Sequence, residues 1–276
     1  MKMGTSCESA ATDSDRPLGD DVAVVSTESC PGATTRMTCL SLAAPAYNEA
    51  EGIESVVRDW ATTLSAANHS FEIVICNDGS LDDTGRILAS LARELPNLRI
   101  INKEVNRGYG SALNSAIAAC RGEFVATIDA DGQFSVADAL AMLEPLARGE
   151  CDAVLGYRVL KSDSWLRRRA DRALNRIVRL LFGVRHRDTN CALKVVRREL
   201  LQDLLIESVG FAFPTEVAIK LHQRGVRAVE YPVRHADRTA GVSKLHVRRV
   251  GWQVLRFLIY LRLRLALYRA RILQNF

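Results

Sequence analysis

Short, nearly continuous apolar runs alternate with helical segments between Cys39 and Leu155, and this alternation restricts the fold more than any other feature of the chain. The run Phe71–Cys76 reads FEIVIC, and the run Phe124–Ile128 reads FVATI. Strands that are apolar on both faces are typical of a parallel sheet covered by helices on both sides. The sequence therefore predicts an α/β fold built on a mostly parallel sheet flanked by helices.

The pattern can be divided into individual elements. Predicted strands are Cys39–Ala44, Phe71–Cys76, Leu98–Asn102, Phe124–Ile128, Ala153–Leu155, Ala192–Val196 and Arg227–Pro232. Predicted helices are Ala50–Ala67, Asp82–Leu95, Gly110–Cys120, Val136–Arg148, Trp165–Phe182, Arg198–Ile206, Thr215–Arg224 and Leu245–Leu273. Residues 1–36 are rich in Ser, Thr, Asp and Gly, so we expect a disordered tail there.

Polar clusters follow three of the predicted strands. They are Tyr47-Asn48-Glu49, Asn77-Asp78-Gly79 and Asp129-Ala130-Asp131. In open α/β sheets, ligands bind outside the carboxyl ends of the strands. The three clusters therefore predict a single binding site at one edge of the sheet.

Asp129 and Asp131 form the strongest chemical signal. They stand one residue apart beyond a buried strand, and Gln133 follows. Mg²⁺ and Mn²⁺ prefer oxygen ligands and commonly join one or two carboxylates to substrate phosphates. A solvated turn would also use Asp and Gly, but the position beside the other clusters favours a metal and diphosphate site.

The other two clusters have structural explanations as well as functional ones. Tyr47 could stack on a base, whereas Glu49 could cap the following helix. Asp78 could contact a ligand or cap the helix predicted to begin near Asp82. Both explanations stay open at this point.

The segment Asn106–Gly110 lies at a strand-to-helix junction and contains two glycines. It lacks the Gly-x-Gly-x-x-Gly pattern and the lysine of a P-loop, which disfavours a nicotinamide or ATP site. We interpret it as a loop packed closely against the start of a helix.

Arginines are concentrated in the second half of the chain, in 158–187 and 234–271, although the net charge is only +5. Arg158, Arg238 and Lys244 are candidates for binding phosphate groups, since Arg forms bidentate bonds and Lys acts as a point charge. The alternative for each of them is a solvated surface. No nucleic-acid partner is expected.

The predicted helix Trp165–Phe182 has an apolar stripe and a face loaded with arginines. It could be an ordinary surface helix, or it could contact anionic lipid headgroups. No segment reaches the roughly 18 uncharged residues of a spanning helix, so we expect contact with a membrane surface rather than a crossing. The seven cysteines include no Cys-x-x-Cys pair, which indicates reduced thiols and a cytoplasmic protein.

Seven motifs together resemble family 2 glycosyltransferases of the dolichyl- or polyprenyl-phosphate sugar synthase type. The motifs are PAYNE (45–49), NDGSLDDT (77–84), NRGYGSAL (106–113), DADGQF (129–134), VLGYR (154–158), RDTNCALKVVRRE (187–199) and RTAGVSKL (238–245). This chain departs from the family pattern at two places. Asn77 stands where an Asp is commoner, and Asn190–Leu193 stands where many members have Ser-Gly-Phe.

The resemblance implies a GT-A fold and an inverting transfer of a hexose from GDP-mannose or a UDP-sugar to a polyprenyl or dolichyl phosphate. It implies a metal-dependent enzyme that uses Mg²⁺ or Mn²⁺. The donor would contact Pro45, Tyr47, Glu49, Asp78, Asp129, Ala130, Arg158, Arg238 and Lys244. The metal would be held by Asp131 and Gln133, and the catalytic set would be Asp131, Arg158, Arg238 and Lys244.

The resemblance also implies a domain division. Residues 37–236 would form the GT-A domain, with a basic amphipathic interface helix at 164–183. Residues 237–276 would form a phosphate-binding loop and a C-terminal amphipathic helix. We expect the protein to lie at the cytoplasmic face of the membrane, with a membrane-bound partner subunit as an additional expectation.

Two alternatives remain open. One is a soluble family 2 transferase with a saccharide or small hydroxyl acceptor, which would need a carboxylate base, with Asp188 and Glu216 as candidates. The other is a non-catalytic nucleotide-sugar-binding subunit.

Overall fold

A computed structural model describes residues 23–25, 39–67, 69–161, 165–236 and 247–276. The strands are β1 (Ala23–Val25), β2 (Cys39–Ala46), β3 (Ser70–Asp78), β4 (Leu98–Lys103), β5 (Phe124–Thr127), β6 (Ala153–Lys161), β7 (Lys194–Arg197) and β8 (Ala228–His235). The helices are α1 (Ile53–Ala66), α2 (Thr84–Glu94), α3 (Tyr109–Ala119), α4 (Val136–Ala147), α5 (Trp165–Phe182), α6 (Arg198–Gln202), α7 (Phe213–Gln223) and α8 (Val247–Arg269).

One sheet contains all eight of these strands, in the order β1-β4-β3-β2-β5-β7-β6-β8. The pairs β4–β3, β3–β2, β2–β5 and β6–β8 are parallel. Strand β7 runs antiparallel to both of its neighbours, and β1 runs antiparallel to β4. The prediction of a mostly parallel α/β sheet is therefore confirmed, with β7 as the antiparallel strand inside it.

Strand β1 differs from the expected tail. Residues Ala23–Val25 pair with Asn102, Ile101 and Ile100 of β4. Strand β4 would otherwise be an edge strand with unpaired backbone groups, which a short added strand can satisfy. These three residues therefore form a strand where the sequence predicts a disordered tail, and the other residues of 1–36 lie outside the described part of the chain.

The sheet is covered on both faces, as the apolar runs predict. Along β3, Ile73 and Ile75 pack with Trp60 of α1 in one core cluster. Val74 and Cys76 face the other way and pack with helices α3 and α7 in a second cluster. Strand β3 therefore contributes alternate residues to two cores. The five described cysteines are all free thiols, and four of them are buried.

Several element boundaries differ from their predictions. Helix α1 begins at Ile53 rather than Ala50, because Asn48 has a positive φ of 52° and the Glu49 carbonyl accepts from the amides of Gly52 and Ile53. Strand β7 begins at Lys194 rather than Ala192, because the Ala192 carbonyl accepts from the Thr127 hydroxyl at 2.6 Å instead of joining the ladder.

Helices α5, α7 and α8 form a third cluster. Val178 and Phe182 of α5 pack against Ile219 of α7 and against Leu258 and Leu261 of α8. The opposite face of α5 exposes arginines, which confirms its amphipathic character; they are Arg168, Arg169, Arg172, Arg176 and Arg179. No helix among the described residues is both long and apolar enough to cross a membrane.

Candidate active site

The carboxyl ends of β2 and β3 and the turn after β5 line a cavity of about 300 Å³, which we call the strand-end cavity. It brings together seven residues that the sequence predicts for donor or metal binding, from all three polar clusters. They are Pro45, Tyr47, Glu49, Asp78, Asp129, Ala130 and Asp131. The expectation that the clusters meet at one edge of the sheet is confirmed.

Asp78 fixes the loop that leads into α3. Its carboxylate accepts from the Gly108 amide at 2.7 Å and from the Arg107 amide at 3.2 Å, and it lies 3.4 Å from the Lys103 ammonium. Gly108 has φ of 101°, which favours glycine over other residues. Asp78 therefore organises the cavity wall and does not cap α2, which begins at Thr84.

The turn after β5 is held in place by two sets of hydrogen bonds. Asp131 Oδ1 accepts from the Gln133 amide at 3.1 Å, and Asp129 Oδ1 accepts from the Tyr109 hydroxyl at 2.8 Å. Gln133 and Ala236 exchange two further bonds, from Gln133 Nε2 to the Ala236 carbonyl and from the Ala236 amide to the Gln133 carbonyl, both 2.9 Å. The turn is thus joined to the end of β8 rather than loosely solvated.

The oxygen donors at this turn fit a divalent cation that is shared with a substrate. Asp131 supplies a carboxylate, and Gln133 supplies a side-chain carbonyl two residues away. Within the described residues, no group of three or more His, Cys, Asp or Glu side chains could hold a metal ion. Mg²⁺ and Mn²⁺ commonly complete such sparse protein ligation with phosphate oxygens and water.

A second cavity, of about 360 Å³, lies between α5 and α8, and we call it the interhelical cavity. Most of its lining is apolar, with one charged pair formed by Arg158 and Asp171. The lining residues are Tyr109, Arg158, Ala170, Asp171, Ala173, Leu174, Ile177, Asn190, Ala192, Phe211, Pro214, Val250, Gly251, Val254, Leu255 and Leu258.

Arg158 lies in this second cavity and is absent from the lining of the strand-end cavity. Its Nε donates to Asp188 Oδ2 at 2.7 Å, and its Nη2 donates to Asp188 Oδ1 at 3.1 Å and to Asp171 Oδ2 at 3.0 Å. Burial alone would lower the pKa of Arg158, but the two carboxylates raise it above its usual value. The structure therefore separates this fixed cation from the donor candidates with which the sequence grouped it.

The other two basic candidates, Arg238 and Lys244, lie outside the described residues. Their grouping with the donor site stays a prediction.

The two carboxylates considered as general bases are both engaged in the protein. Asp188 is buried against Arg158. Glu216 is fully buried, lies 2.9 Å from the Lys220 ammonium and accepts from the Ser208 amide at 2.8 Å. Neither lines the strand-end cavity. The burial of Glu216 disfavours a role as the base, which stays a prediction.

Sequence reasoning missed two aromatic residues, Tyr109 and Phe211, which line both cavities. Tyr109 lies in the segment that the sequence interpreted only as loop packing. That packing is confirmed, since the Gly110 amide donates to the Val209 carbonyl at 3.0 Å and a side chain on Gly110 would collide with the Ser208 carbonyl. The one available signal for Tyr109 was its place in the NRGYGSAL motif; for Phe211, in an irregular loop, there was none.

Comparisons with known proteins agree with this architecture. The chain is 30% identical over 207 residues to an undecaprenyl-phosphate 4-deoxy-4-formamido-L-arabinose transferase of Sodalis glossinidius (strain morsitans), covering 74% of this chain and 62% of the relative. For the transferase of the same name from Enterobacter sp. (strain 638), the identity is 29%, covering 76% and 64%. The chain thus spans less than two thirds of the length of either relative.

A solved structure shares the fold. It is glucosyl-3-phosphoglycerate synthase from Mycobacterium tuberculosis in complex with Mn²⁺, uridine diphosphate and phosphoglyceric acid, with a TM-score of 0.62 and 20% identity, covering 86% of this chain and 85% of that one. The expected GT-A fold is confirmed. The profile of Glycosyl transferase family 2 matches residues 41–205, well over half of the chain, and the chain therefore belongs to glycosyl transferase family 2.

Proposed function

We propose that this chain transfers a hexose, with inversion, from a nucleotide-sugar to a polyprenyl or dolichyl phosphate. One observation carries the proposal: the strand-end cavity and the interhelical cavity are adjacent and share Tyr109 and Phe211 as lining residues. The first cavity has the residues that a donor needs, and the second has the apolar lining and the charge that a lipid phosphate needs.

The donor would occupy the strand-end cavity. Tyr47 offers a ring for the base, Asp78 and Glu49 offer acceptors for the nucleoside, and Asp129 would contact the nucleotide from the turn after β5. Asp131 and Gln133 would hold Mn²⁺ or Mg²⁺, whose positive charge offsets the negative charge that develops on the departing diphosphate. The M. tuberculosis structure that shares the fold was solved with Mn²⁺ and uridine diphosphate, which supports this arrangement.

The acceptor would occupy the interhelical cavity. Leu174, Ile177, Val254 and Leu258 provide apolar surface for the first isoprene units. Arg158 provides a cation for the phosphate, and an arginine can bind it in a bidentate manner. Arg238 and Lys244 are retained as further phosphate ligands on the strength of their sequence motif.

The engaged state of Asp188 and Glu216 favours a phosphate over a hydroxyl acceptor. A hydroxyl must lose a proton as it attacks, so it benefits from a carboxylate base. A phosphate monoester is already ionised at neutral pH, and its oxygen can attack the anomeric carbon directly. A phosphate acceptor therefore does not require a general base, and the proposed transfer can proceed with Asp188 and Glu216 engaged as they are.

The surface beside the interhelical cavity suits a membrane. Helix α5 exposes five arginines among its described side chains, and α8 exposes Trp252, Ile259, Leu263 and Leu267. Residues 247–276 contain no Asp or Glu. Arginines and apolar side chains together favour contact with anionic headgroups. We accordingly place the working enzyme at the cytoplasmic face of the membrane, with or without a membrane-bound partner.

A donor panel tests the activity. GDP-mannose, UDP-glucose and UDP-N-acetylglucosamine are each incubated with undecaprenyl phosphate and with 3-phosphoglycerate, in Mn²⁺ or Mg²⁺, and the products are identified by mass spectrometry. We expect a glycolipid from one donor, a loss of roughly two orders of magnitude or more in Asp131→Asn, and no change in the exposed control Asp83→Asn. A glycosylated 3-phosphoglycerate, or binding without turnover, contradicts the proposal.

Flotation with vesicles tests the membrane surface separately. We expect binding to vesicles that contain phosphatidylglycerol and none to purely zwitterionic vesicles, with the binding weakened by salt. Replacing Arg172, Arg176 and Arg179 by serine should reduce flotation while leaving donor binding intact. Equal flotation of the triple variant would exclude α5 as the contact.

A further inference from the structure

Tyr109 and Phe211 form a stacked aromatic pair between the two cavities. Their ring centroids lie 5.3 Å apart, and the ring planes are inclined by 25°. Among the described residues, these are the two that the linings of both cavities have in common. The pair is therefore the wall that a donor on one side and an acceptor on the other would share.

Tyr109 is bonded to the donor side of this wall. Its hydroxyl donates to Asp129 Oδ1 at 2.8 Å, and its neighbour Gly108 donates its amide to Asp78. The tyrosine consequently fixes the orientation of the Asp129 carboxylate.

Phe211 is placed by the backbone of its loop rather than by its own ring. The Val209 carbonyl accepts from the Gly110 amide at 3.0 Å, and buried Glu216 accepts from the amides of Glu207 and Ser208. The Phe211 side chain itself is 37% exposed. Removal of the ring should therefore leave these anchors of the loop intact and change mainly the wall.

A wall between the two cavities can protect the donor from hydrolysis by water. A nucleotide-sugar has an activated anomeric carbon that water can attack: the water oxygen bonds to that carbon, the bond to the nucleoside diphosphate breaks, and the water proton passes to solvent. Exclusion of water from a reacting site prevents this side reaction. Two stacked aromatic rings exclude water and offer no acid or base of their own on the Phe211 side.

We propose that Tyr109 and Phe211 are positioning residues with separate tasks: Phe211 keeps water away from the donor so that the sugar passes to the acceptor, and Tyr109 holds Asp129 in place beside the donor. The proposal rests on the function proposed above. It assigns the selection of the acceptor over water to Phe211 and the orientation of Asp129 to Tyr109.

The test for Phe211 measures nucleoside diphosphate release and glycolipid formation in parallel, with the same three donors and with or without undecaprenyl phosphate. Phe211→Ala should raise the ratio of hydrolysis to transfer about two- to tenfold, the range that a stacked aromatic pair contributes. Phe211→Leu, which keeps apolar bulk, should recover part of the selectivity. Val209→Ala is the matched control in the same loop, since its side chain is 64% exposed.

Tyr109→Phe tests the second task, because it keeps the ring and removes only the hydroxyl. The ratio of hydrolysis to transfer should stay as in the wild type. The Mn²⁺ concentration needed for half-maximal binding of UDP should rise by up to about tenfold, because Asp129 and the proposed metal ligand Asp131 stand in the same turn, and loss of the Tyr109 bond removes one of the contacts that hold this turn in place. Isothermal titration calorimetry gives this value without any turnover.

The outcomes separate the two proposals. An equal ratio of hydrolysis to transfer in Phe211→Ala and Val209→Ala overturns the task of Phe211. Unchanged Mn²⁺ dependence in Tyr109→Phe overturns the task of Tyr109. If the wild type binds UDP and hydrolyses a donor but forms no glycolipid, the proposed acceptor is wrong, and Phe211 is then judged from the hydrolysis rate alone. If the wild type binds no UDP, both proposals fall.

Discussion

Arg158 and Asp171 join strand β6 to helix α5 through an ion pair in which Nη2 lies 3.0 Å from Oδ2. Both side chains line the interhelical cavity, and they are only 10% and 15% exposed. Asp188 binds the same guanidinium from the other side. An anionic acceptor that approaches Arg158 must therefore compete with the carboxylate of Asp171, which belongs to the amphipathic helix.

Replacement of Asp171 by Asn should strengthen acceptor binding. The change removes a competing negative charge beside Arg158 but keeps the shape of the side chain. We expect KM for undecaprenyl phosphate to fall roughly fivefold, equivalent to about 1 kcal/mol for a partly buried ion pair, with KM for the donor unchanged. Asp203→Asn, which affects an exposed pair with Arg224, is the control. An unchanged or higher KM for the lipid would mean that Asp171 only supports the fold.

Glu216 should matter for stability rather than for chemistry. Its carboxylate and the Lys220 ammonium are both fully buried and 2.9 Å apart. Glu207 lies 3.2 Å from the same ammonium and remains as its second carboxylate, so removal of the Glu216 charge should cost about 1–3 kcal/mol, less than the roughly 3–5 kcal/mol of a buried charge left without any partner. Urea unfolding of Glu216→Gln should show such a loss, whereas the exposed control Glu54→Gln should not. A variant of normal stability with a lower kcat would instead return Glu216 to the list of bases.

The parts of the site that were predictable from sequence lie at the ends of strands. Asp78 and Asp129 follow apolar runs, and parallel strands bring their carboxyl ends to one edge whatever the loops do. The direction of β7 was not predictable, because the periodicity of apolar residues indicates which face of a strand is buried and does not indicate whether the strand runs parallel or antiparallel to its neighbours. Strand β1 was too short to give a signal.

The contact between Tyr109 and Phe211 was likewise not predictable from sequence. Tyr109 begins a helix, but Phe211 lies in an irregular loop about a hundred residues later, and contacts such as that of the Val209 carbonyl with the Gly110 amide bring the two rings together. The position of Arg158 also could not be predicted from sequence. Its family motif groups it with the donor ligands, whereas the structure places it in the interhelical cavity. Contacts across long sequence separations decide both points.

Gly110 should not tolerate a methyl group. A Cβ at this position would collide with the Ser208 carbonyl and lie 3.0 Å from the Gly210 carbonyl. Forcing an extra group into a packed backbone contact typically costs about 1–3 kcal/mol, and here it would also displace Phe211. Gly110→Ala should therefore unfold at lower urea concentration and lose selectivity against water. Gly210→Ala, where nothing lies within 4 Å of the added group, should behave as the wild type; equal effects of the two would contradict the steric argument.

Lys194 should make the stability of the protein depend on pH in the alkaline range. Its ammonium is fully buried and donates to the carbonyls of Thr189 and Cys191. Burial lowers the pKa of Lys194 to about 8, from an ordinary value of 10.5, although Cys191 and Asp188 act in the opposite direction. In the folded state the lysine therefore binds its proton less tightly than in the unfolded state.

Between about pH 8 and pH 10.5, unfolding must take up a proton at Lys194, so a rise in pH makes unfolding less favourable. The contribution should increase the free energy of unfolding by on the order of 1 kcal/mol per pH unit in this window and be constant below it. Other groups titrate here as well, so the quantity to measure is the difference between the wild type and Lys194→Met, by urea unfolding at several pH values. As the pH rises from 8, the free energy of unfolding of the wild type should increase relative to that of Lys194→Met. If the two free energies changed in parallel with pH, the folded lysine would have an ordinary pKa.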